Sequence, residues 1–317
     1  MEDKKVVVFG GGTGLSYLLK GLKKFPVDIT AVISVSDNGR STGKLREEFG
    51  IPAVGDIRHV ITSLSEIDPK IKEMLSYRFK TYSDLNGHAV GNLILTALLE
   101  VTGSLTESIK ALSTLLDVDA TVLPISEDSL TLMAEDDKGN TIEGEEQITE
   151  SNTKIKKIFY KEEPKVSNDV IKAINEADLI VLSMGSLYTS ILPNIICKEV
   201  RLAIADSKAK IMYACNVVTQ PGETDDYKVS DHIKAINSHL KERKVDVVIA
   251  SNSKMNKEIV DNYYNLENKE PVVIDYENIK KLGVELIEDD LIILEDNYLR
   301  HDPLRLSFLI YSYLMRR

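Results

Sequence analysis

The sequence predicts an α/β fold of the Rossmann-like type, in which a mostly parallel sheet is flanked by helices, with a small antiparallel β-hairpin insert. Five short runs rich in β-branched residues alternate with longer amphipathic segments, which is the pattern of repeated strand-helix units. The 317 residues, 43% of them hydrophobic, are enough to bury one large core. Because no repeat or low-complexity linker divides the chain, we expect one continuous domain over residues 1–317.

Each predicted strand is followed directly by a polar segment. The strands are the runs KVVVF (5–9), ITAVI (29–33), LIVLS (179–183), KIMYA (210–214) and DVVIA (246–250). The segments that follow them are GGGTG, SVSDNGR, MGSLYTS, CNVVTQPGETD and SNSKMN. In an open parallel sheet, ligands bind beyond the carboxyl ends of the strands, so these segments predict a binding site along one sheet edge.

Helices fill the intervals between the strands. Apolar residues recur at helical spacing in residues 15–24, 57–65, 70–79, 90–101 and 104–116, and in the C-terminal segment LRLSFLIYSYLMRR. Gly103 fits a helix C-cap. Residues 120–160 break this rhythm, because apolar and polar residues alternate there around the turn sequence DDKGN. This pattern predicts an acidic antiparallel hairpin insert on the surface.

Composition excludes several classes of protein. Fifty acidic residues against 39 basic ones give a net charge of −11, which disfavours non-specific binding to nucleic acid. We expect a cytoplasmic protein with no membrane span, because no apolar stretch is long enough and the N-terminus lacks a signal-peptide pattern. Cys197 and Cys215 show no metal or redox spacing. Sequence motifs of serine hydrolases, zinc proteases and P-loop proteins are absent.

The first candidate for ligand binding is the glycine turn after the first strand. Gly11, Gly12, Thr13 and Gly14 lie between that strand and a helix, where backbone N–H groups can bind a phosphate. Leu15 occupies the third glycine position of the dinucleotide pattern, so that pattern is incomplete. A tight turn without a ligand is the alternative interpretation.

The second strand leads into SVSDNGRSTGKLR, residues 34–46. Its candidate site residues are Asp37, Asn38, Arg40 and Ser41. A dinucleotide fold would place a ribose-binding acidic residue near Asp37, but Asp-Asn-Gly is also a common turn sequence. Taken alone, the segment fits a turn and a site equally well.

Two further segments carry charged or polar side chains at predicted helix starts. Asp56 is expected at an N-cap, with Arg58 in the first turn. A cation in that position opposes the helix dipole, so we expect Arg58 to face an anion. His88 and Asn92 are four residues apart and therefore on one helix face. A structural role is the alternative for Asp56 and for His88.

The later strand ends supply a second set of candidates. MGSLYTS offers Gly185, Ser186, Tyr188 and Thr189 at another helix start suited to anions. Asn216, Thr219 and Gln220 precede a Pro-Gly turn, and the alternative there is a plain polar loop. The last candidates are Tyr263 and Tyr264, which could stack on a base, and the cluster Arg300, His301 and Asp302.

Six segments, in order along the chain, closely resemble the YvcK-like or gluconeogenesis factor (GlmR) family, which is related to the 2-phospho-L-lactate transferase CofD. They are GGGTGLSYLLKGLK, SVSDNGRSTGKLREEFGIPAVGDIRHVITSL, GHAVGNLILTALLE, GSLYTSILPN, CNVVTQPGETD and RHDP. The segments extend from residue 10 to residue 303 and so cover almost the whole chain. One difference is that Ser183 and Met184 precede Gly185 where the family often has Gly-Pro.

The resemblance implies a non-catalytic, regulatory protein that binds UDP-N-acetylglucosamine. It implies a role in cell shape and in cell-wall precursor supply during growth on gluconeogenic carbon sources, with glucosamine-6-phosphate synthase as the protein partner. The oligomeric state stays open, a homodimer included.

For such a ligand we assign roles by chemistry and by position at the strand ends. The expected donors to the pyrophosphate are Gly11, Gly12, Thr13, Gly14, Ser186 and Thr189. Arg40 or Arg58 would neutralise its charge, and Asn216 would bind ribose or base. Tyr264 and Arg300 would contact the uridine or the sugar.

An enzyme is the main alternative. In a magnesium-dependent transferase of the phospholactyl type, acting on a nucleotide-activated donor, Asp37 and Asp56 would hold the metal. A dinucleotide-dependent oxidoreductase is a third class, and it would require the missing third glycine.

Overall fold

A sheet of seven parallel strands forms the centre of the protein. The computed structural model describes residues 3–151, 153–255, 267–295 and 298–316. The described strands are β1 (Lys4–Gly10), β2 (Val27–Ile33), β3 (Thr121–Pro124), β4 (Leu132–Asp136), β5 (Thr141–Glu143), β6 (Ile155–Tyr160), β7 (Leu179–Leu182), β8 (Lys210–Ala214), β9 (Val247–Ser251), β10 (Glu285–Asp289), β11 (Ile292–Glu295) and β12 (Tyr298–His301).

The order of strands in the central sheet places a switch point beside β1. The order is β10-β9-β8-β7-β1-β2-β3, so the chain runs outward from β1 through β2 to β3 and later returns to the other side of β1 with β7. At such a reversal the connections leave on opposite faces, and a crevice opens beyond the carboxyl ends of the two strands. The segments after β1 and β7 therefore face each other at this crevice.

The five predicted strands are confirmed as β1, β2, β7, β8 and β9. Hydrophobic burial explains why they were easy to predict: strands covered on both faces are continuously apolar, and Val6, Val7, Val8 and Phe9 of β1 are at most 1% exposed. The two sheet edges were not predicted. The sequence of β10, ELIED, is half polar and partly exposed, so it lacks the apolar run of a buried strand.

Helices cover the sheet. The described helices are α1 (Gly12–Leu22), α2 (Arg40–Phe49), α3 (Gly55–Leu64), α4 (Pro69–Ser76), α5 (Val90–Thr102), α6 (Leu105–Leu115), α7 (Glu145–Glu150), α8 (Asn168–Glu176), α9 (Leu192–Ile195), α10 (Lys198–Asp206), α11 (Val229–Leu240), α12 (Tyr276–Leu282) and α13 (Pro303–Met315), and a π-helical turn, Leu187–Ile191, precedes α9. Among the described residues, none of the helices has both the length and the apolar character needed to cross a bilayer.

The predicted helices are present to within about one turn at their ends. Gly103 has a φ of 69° and ends α5, as predicted for a C-cap. The sequence did not predict α2, because the buried face of this helix is built from Ser41, Thr42 and Gly43 with only one apolar residue, Leu45. Small polar residues on the buried face remove the apolar periodicity that signals a helix.

The expected antiparallel hairpin around DDKGN is confirmed as β4 and β5, but its bounds of 120–160 require correction. Residues 121–124 form β3, the edge strand of the central sheet, and the insert proper is a three-stranded antiparallel sheet of order β5-β4-β6 that also carries α7. The insert is also less superficial than expected. Ile148, Ile155 and Ile158 belong to the same hydrophobic cluster as the central sheet, which fixes the insert against the rest of the chain.

Two helices at the sheet surface meet through a glycine. A Cβ atom at Gly21 in α1 would lie 2.0 Å from the Pro303 carbonyl oxygen and 2.5 Å from Ser307 Oγ, both at the start of α13. No other residue fits at this crossing without separating the helices. The contact also fixes the chain that leads from β12 into α13.

We therefore expect Gly21→Ala to lower the free energy of unfolding by about 1–3 kcal/mol, because the added methyl group overpacks the crossing of α1 and α13. Chemical denaturation measures this change. Lys20→Ala, at an exposed position of the same helix, is the control. Equal effects of the two substitutions would contradict the proposed overpacking.

Candidate functional site

The turn after β1 brings backbone donors and a carboxylate together. Gly11 is the N-cap of α1, in an extended conformation, and Gly12 has a φ of +54°. A Cβ atom at Gly11 would lie 2.6 Å from Asp56 Oδ2, so the absence of a side chain lets this carboxylate approach the helix start. The backbone N–H of Gly12 donates a hydrogen bond to Asp56. The N-terminus of α1 and Asp56 thus form one wall of a groove.

The turns after β1 and β7 touch each other. A Cβ atom at Gly14 would lie 2.0 Å from the carbonyl oxygen of Met184, so only glycine allows this approach. Beyond Met184, the side-chain amide of Asn216 donates to the Gly185 carbonyl at 2.7 Å and accepts from the Gly185 N–H at 3.2 Å. Asn216 therefore fixes the second glycine turn, while also lining the groove.

The π-helical turn after β7 begins with donors that bind a carboxylate of the protein itself, Glu223. Ser186 Oγ donates to Glu223 at 2.7 Å, and the backbone N–H of Tyr188 donates to the same carboxylate at 3.1 Å. Thr189 Oγ1 and Gln220 Nε2 also donate to it. Glu223 is 1% exposed, and burial raises its pKa. The donors expected to bind a pyrophosphate here already hydrogen-bond an internal anion, and their role toward a ligand stays a prediction.

Three carboxylates from three elements meet between the glycine turn and the insert. Asp37 follows β2 and accepts from the Gly39 N–H at 2.8 Å, Asp56 lies in the first turn of α3, and Glu145 begins α7. Burial raises the pKa of all three, most clearly for Glu145, and to about 7 for Asp56, with the neighbouring carboxylates adding to the effect on Asp56 and Glu145. At neutral pH, protonated and ionised Asp56 therefore coexist.

The expected N-cap role of Asp56 requires correction. Val54 is the N-cap of α3, and Asp56 is the second helical residue, turned toward Gly11 and Gly12. Within the described ranges, no group of three or more His, Cys, Asp and Glu side chains is arranged to hold a metal ion.

Arg300 reaches the groove from β12. Its guanidinium lies 5.6 Å from the centroid of the Tyr17 ring and 5.2 Å from that of Tyr298. Tyr17 in turn belongs to α1, the helix that begins at the glycine turn. The neighbours of Arg300 in the sequence serve the fold. The His301 ring hydrogen-bonds the Cys215 carbonyl at 2.9 Å, and Asp302 caps α13 by accepting from two backbone N–H groups.

These residues line a cavity of about 410 Å³ at the switch point, hereafter the groove. The sequence-predicted residues that line it are Gly11, Gly12, Thr13, Gly14, Asp37, Asp56, Gly185, Ser186, Asn216, Thr219, Gln220, Arg300 and His301. A second cavity of about 430 Å³ adjoins it, and the predicted residues Arg40, Ser41, Arg58 and Asn92 line that one together with part of the glycine turn.

The remaining predicted residues that the structure describes contact other protein residues next to the two cavities. Ser41 Oγ and His88 Nδ1 are 3.1 Å apart in a buried contact. Asn38 Oδ1 accepts from the Glu146 N–H at 2.9 Å, which ties α7 to the segment after β2. Tyr188 contacts Tyr227 through its hydroxyl group at 2.9 Å. Tyr263 and Tyr264 lie outside the described residues.

Sequence reasoning missed two groove residues, Glu145 and Tyr17, and one residue that supports the turn after β7, Glu223. Glu145 belongs to the insert, Tyr17 faces the groove from within α1, and Glu223 follows the Pro-Gly turn. The local sequence does not single out Glu223, because Asp225 and Asp226 follow it in the same strand-end loop. No local signal marks Glu145, since its place depends on how the insert packs.

Comparison with known proteins identifies the relatives of this chain. A family model described as 2-phospho-L-lactate transferase CofD matches residues 6–292. The gluconeogenesis factor of Bacillus subtilis (strain 168) is 40% identical over 314 residues, which is 99% of both chains. The gluconeogenesis factor of Halalkalibacterium halodurans is 42% identical over 308 residues, 97% of this chain and 95% of the relative.

The solved structures agree with the sequence relatives. A crystal structure of a Bacillus halodurans protein superimposes with a TM-score of 0.95 at 41% identity, covering 98% of this chain and 99% of the other. Both the matched range and the identity extend over nearly the whole length of the chain. The protein belongs to the CofD family and, within it, to the gluconeogenesis factors.

Proposed function

We propose that this protein binds UDP-N-acetylglucosamine in the groove and acts as a regulatory gluconeogenesis factor. The supporting observation is that one cavity is lined both by the N-terminus of α1 and by Arg300. Backbone N–H groups and the dipole at the start of an 11-residue helix attract a pyrophosphate. The guanidinium of Arg300, held against Tyr17 and Tyr298, offers charge and a planar surface to a base or a sugar.

The carboxylates suit the hydroxyl-rich parts of the same ligand. Asp37 accepts hydrogen bonds from ribose or sugar hydroxyls, and protonated Asp56 donates one to a phosphate oxygen. In this arrangement the glycine turn after β1 binds the pyrophosphate, because Ser186 and Thr189 hydrogen-bond Glu223. Asn216 hydrogen-bonds Gly185 and contributes to ligand binding by fixing the position of the turn after β7.

The biological part of the proposal follows the relatives, which are named gluconeogenesis factors. We propose that the protein acts in the cytoplasm, supports cell shape and cell-wall precursor supply during growth on gluconeogenic carbon sources, and interacts with glucosamine-6-phosphate synthase. A homodimer is compatible with this role.

Calorimetric titration with UDP-N-acetylglucosamine tests the ligand. We expect saturable binding, and a loss of at least about tenfold in affinity for Arg300→Ala, since a charge-assisted contact to the ligand is removed. Arg305→Ala is the matched control, because Arg305 pairs with Asp289 on the surface. Absence of binding at millimolar ligand, or equal losses in both variants, would overturn the proposal.

The affinity should depend on pH through Asp56. A bound anion favours the protonated carboxyl, so the complex holds this proton more tightly than the free protein, whose Asp56 has a pKa of about 7. Binding is then strongest below this pKa and weakens as the pH rises through it. We expect a loss of about threefold or more from about pH 6 to about pH 8.5. The affinity of Asp56→Asn should depend less on pH than that of the wild type, while Glu145, whose pKa is also raised, still lines the groove. An increase in wild-type affinity with pH would contradict this account.

The match to the CofD model favours a second candidate function, a magnesium-dependent transferase of the phospholactyl type acting on a nucleotide-activated donor. Carboxylate oxygens are the ligands that magnesium prefers, and such sites often use one or two carboxylates together with substrate phosphates, so Asp37 and Asp56 fit this role. The metal would neutralise the phosphate charge during transfer.

Turnover of a nucleotide-activated phospholactate with magnesium tests this second function. Activity that Asp56→Asn reduces by about 100-fold or more, while the control Asp246→Asn retains it, would establish an enzyme. Asp246 directly precedes β9, at the strand ends opposite the groove, and forms a salt bridge with Lys210. No turnover by the wild-type protein would exclude this candidate.

A further inference from the structure

The second cavity, hereafter the arginine lobe, adjoins the groove across the glycine turn and the three carboxylates. The two cavities share Gly12, Thr13, Asp37, Asp56 and Glu145 in their walls. Apart from these shared residues the two linings differ, because Arg40, Arg58 and Arg78 line the arginine lobe and not the groove. The three cations share this lining with five carboxylates, which lie at the border with the groove and on α7.

Arg58 is built into the wall of the lobe. It is 7% exposed, and its Nε donates to Asn92 Oδ1 at 3.1 Å. Asn92 is 1% exposed, and its amide nitrogen donates to Ser41 Oγ at 3.2 Å. The stem of Arg58 lies over Gly91, where a Cβ atom would be 2.8 Å from Arg58 Cδ. A buried glycine and a neutral hydrogen-bond chain thus hold the guanidinium in place.

Among the described residues, no salt bridge joins an arginine of the lobe to a carboxylate, although Asp56 lies close enough to act on the pKa of Arg58. In the described part of the chain, the arginines that form ion pairs are Arg201, Arg243 and Arg305. Arg78 donates to the Gly87 carbonyl at 2.9 Å, which is a neutral acceptor. Burial lowers the pKa of Arg58 and the charge of Arg78 lowers it further, with only Asp56 acting in the opposite direction. A buried guanidinium without a salt bridge, with a second cation beside it, is stabilised by an anionic ligand.

The other wall of the lobe is acidic. Glu146 and Glu150 of α7 line it, together with Thr149. Carboxylates repel a bare anion but accept hydrogen bonds from hydroxyl groups. The ligand that satisfies both walls carries a phosphate group at one end and hydroxyl groups at the other.

We propose that the arginine lobe is a second binding site, which takes a small phosphomonoester bearing several hydroxyl groups. Arg58 and Arg78 bind the phosphate, Arg40 adds charge at the entrance, and Glu146 and Glu150 accept hydroxyl groups. This site goes beyond the proposed nucleotide-sugar function, and the two ligands occupy neighbouring lobes at the same time.

Calorimetric titration of the full chain with glucose 6-phosphate tests the site, with glucose and inorganic phosphate as comparison ligands. We expect saturable binding of glucose 6-phosphate that Arg78→Gln weakens by about tenfold. Arg78 is exposed, so this variant should fold even where Arg58→Gln does not. Lys80→Gln is the matched control, since it removes one charge from an exposed position two residues away.

The outcomes separate this proposal from the nucleotide-sugar function. Arg300→Ala should leave the affinity for glucose 6-phosphate unchanged. Saturation of the groove with UDP-N-acetylglucosamine should not displace bound glucose 6-phosphate. No saturable binding at millimolar ligand, equal losses in Arg78→Gln and Lys80→Gln, or strict competition between the two ligands would overturn the second site. Equal affinity for inorganic phosphate would overturn the role of Glu146 and Glu150. Failure of the nucleotide sugar alone to bind would reject the proposed function and leave the arginine lobe to be judged by its own titration.

Discussion

The close contact between Gly14 and the carbonyl of Met184 is the constraint on which the site depends. Parallel strands on either side of a switch point open a crevice, but the width of that crevice is set by how closely the following turns approach. Here the turns touch, backbone to backbone. Asn216 fixes one of them through both of its amide atoms, and Asp56 contacts the other. The groove is therefore rigid where its two walls begin, and its variable parts are contributed from further away, by the insert and by β12.

Electrostatics divide the binding region into parts with different preferences. A helix N-terminus attracts anions, three half-buried carboxylates with raised pKa values lie beside it, and the arginines of the lobe lie beyond them. In the described part of the chain, Arg58, Arg78 and Asp37 hydrogen-bond neutral groups, and none of the three forms a salt bridge. Such groups are costly to desolvate, and the fold tolerates them because the rest of the core is continuously apolar. The charge pattern is thus better explained by ligands than by stability.

The sequence was sufficient for the elements whose pattern is local. Strands buried on both faces, such as β1 and β7, are continuous apolar runs, and glycine turns that follow them mark the sheet edge that binds ligands. The sequence did not predict α2, because the buried face of this helix consists largely of small polar residues. It did not predict the place of Glu145, because the packing of the insert decides where this side chain lies. Arg300 was found through its motif, but its place beside Tyr17 required the fold, since 283 residues separate the two in sequence. Local pattern therefore predicts which segments form the site, and tertiary packing decides which side chains face one another.

Glu223 has a consequence for selectivity. The turn after β7 presents hydroxyl and backbone donors, and the protein fills them with its own buried carboxylate. An inorganic anion from solution would have to displace a tethered group whose effective local concentration exceeds that of any free ion. Abundant phosphate or sulfate in the cell therefore has no access to this turn. One of the two glycine turns is thus closed to small inorganic anions, and the proposed ligand depends on the other turn.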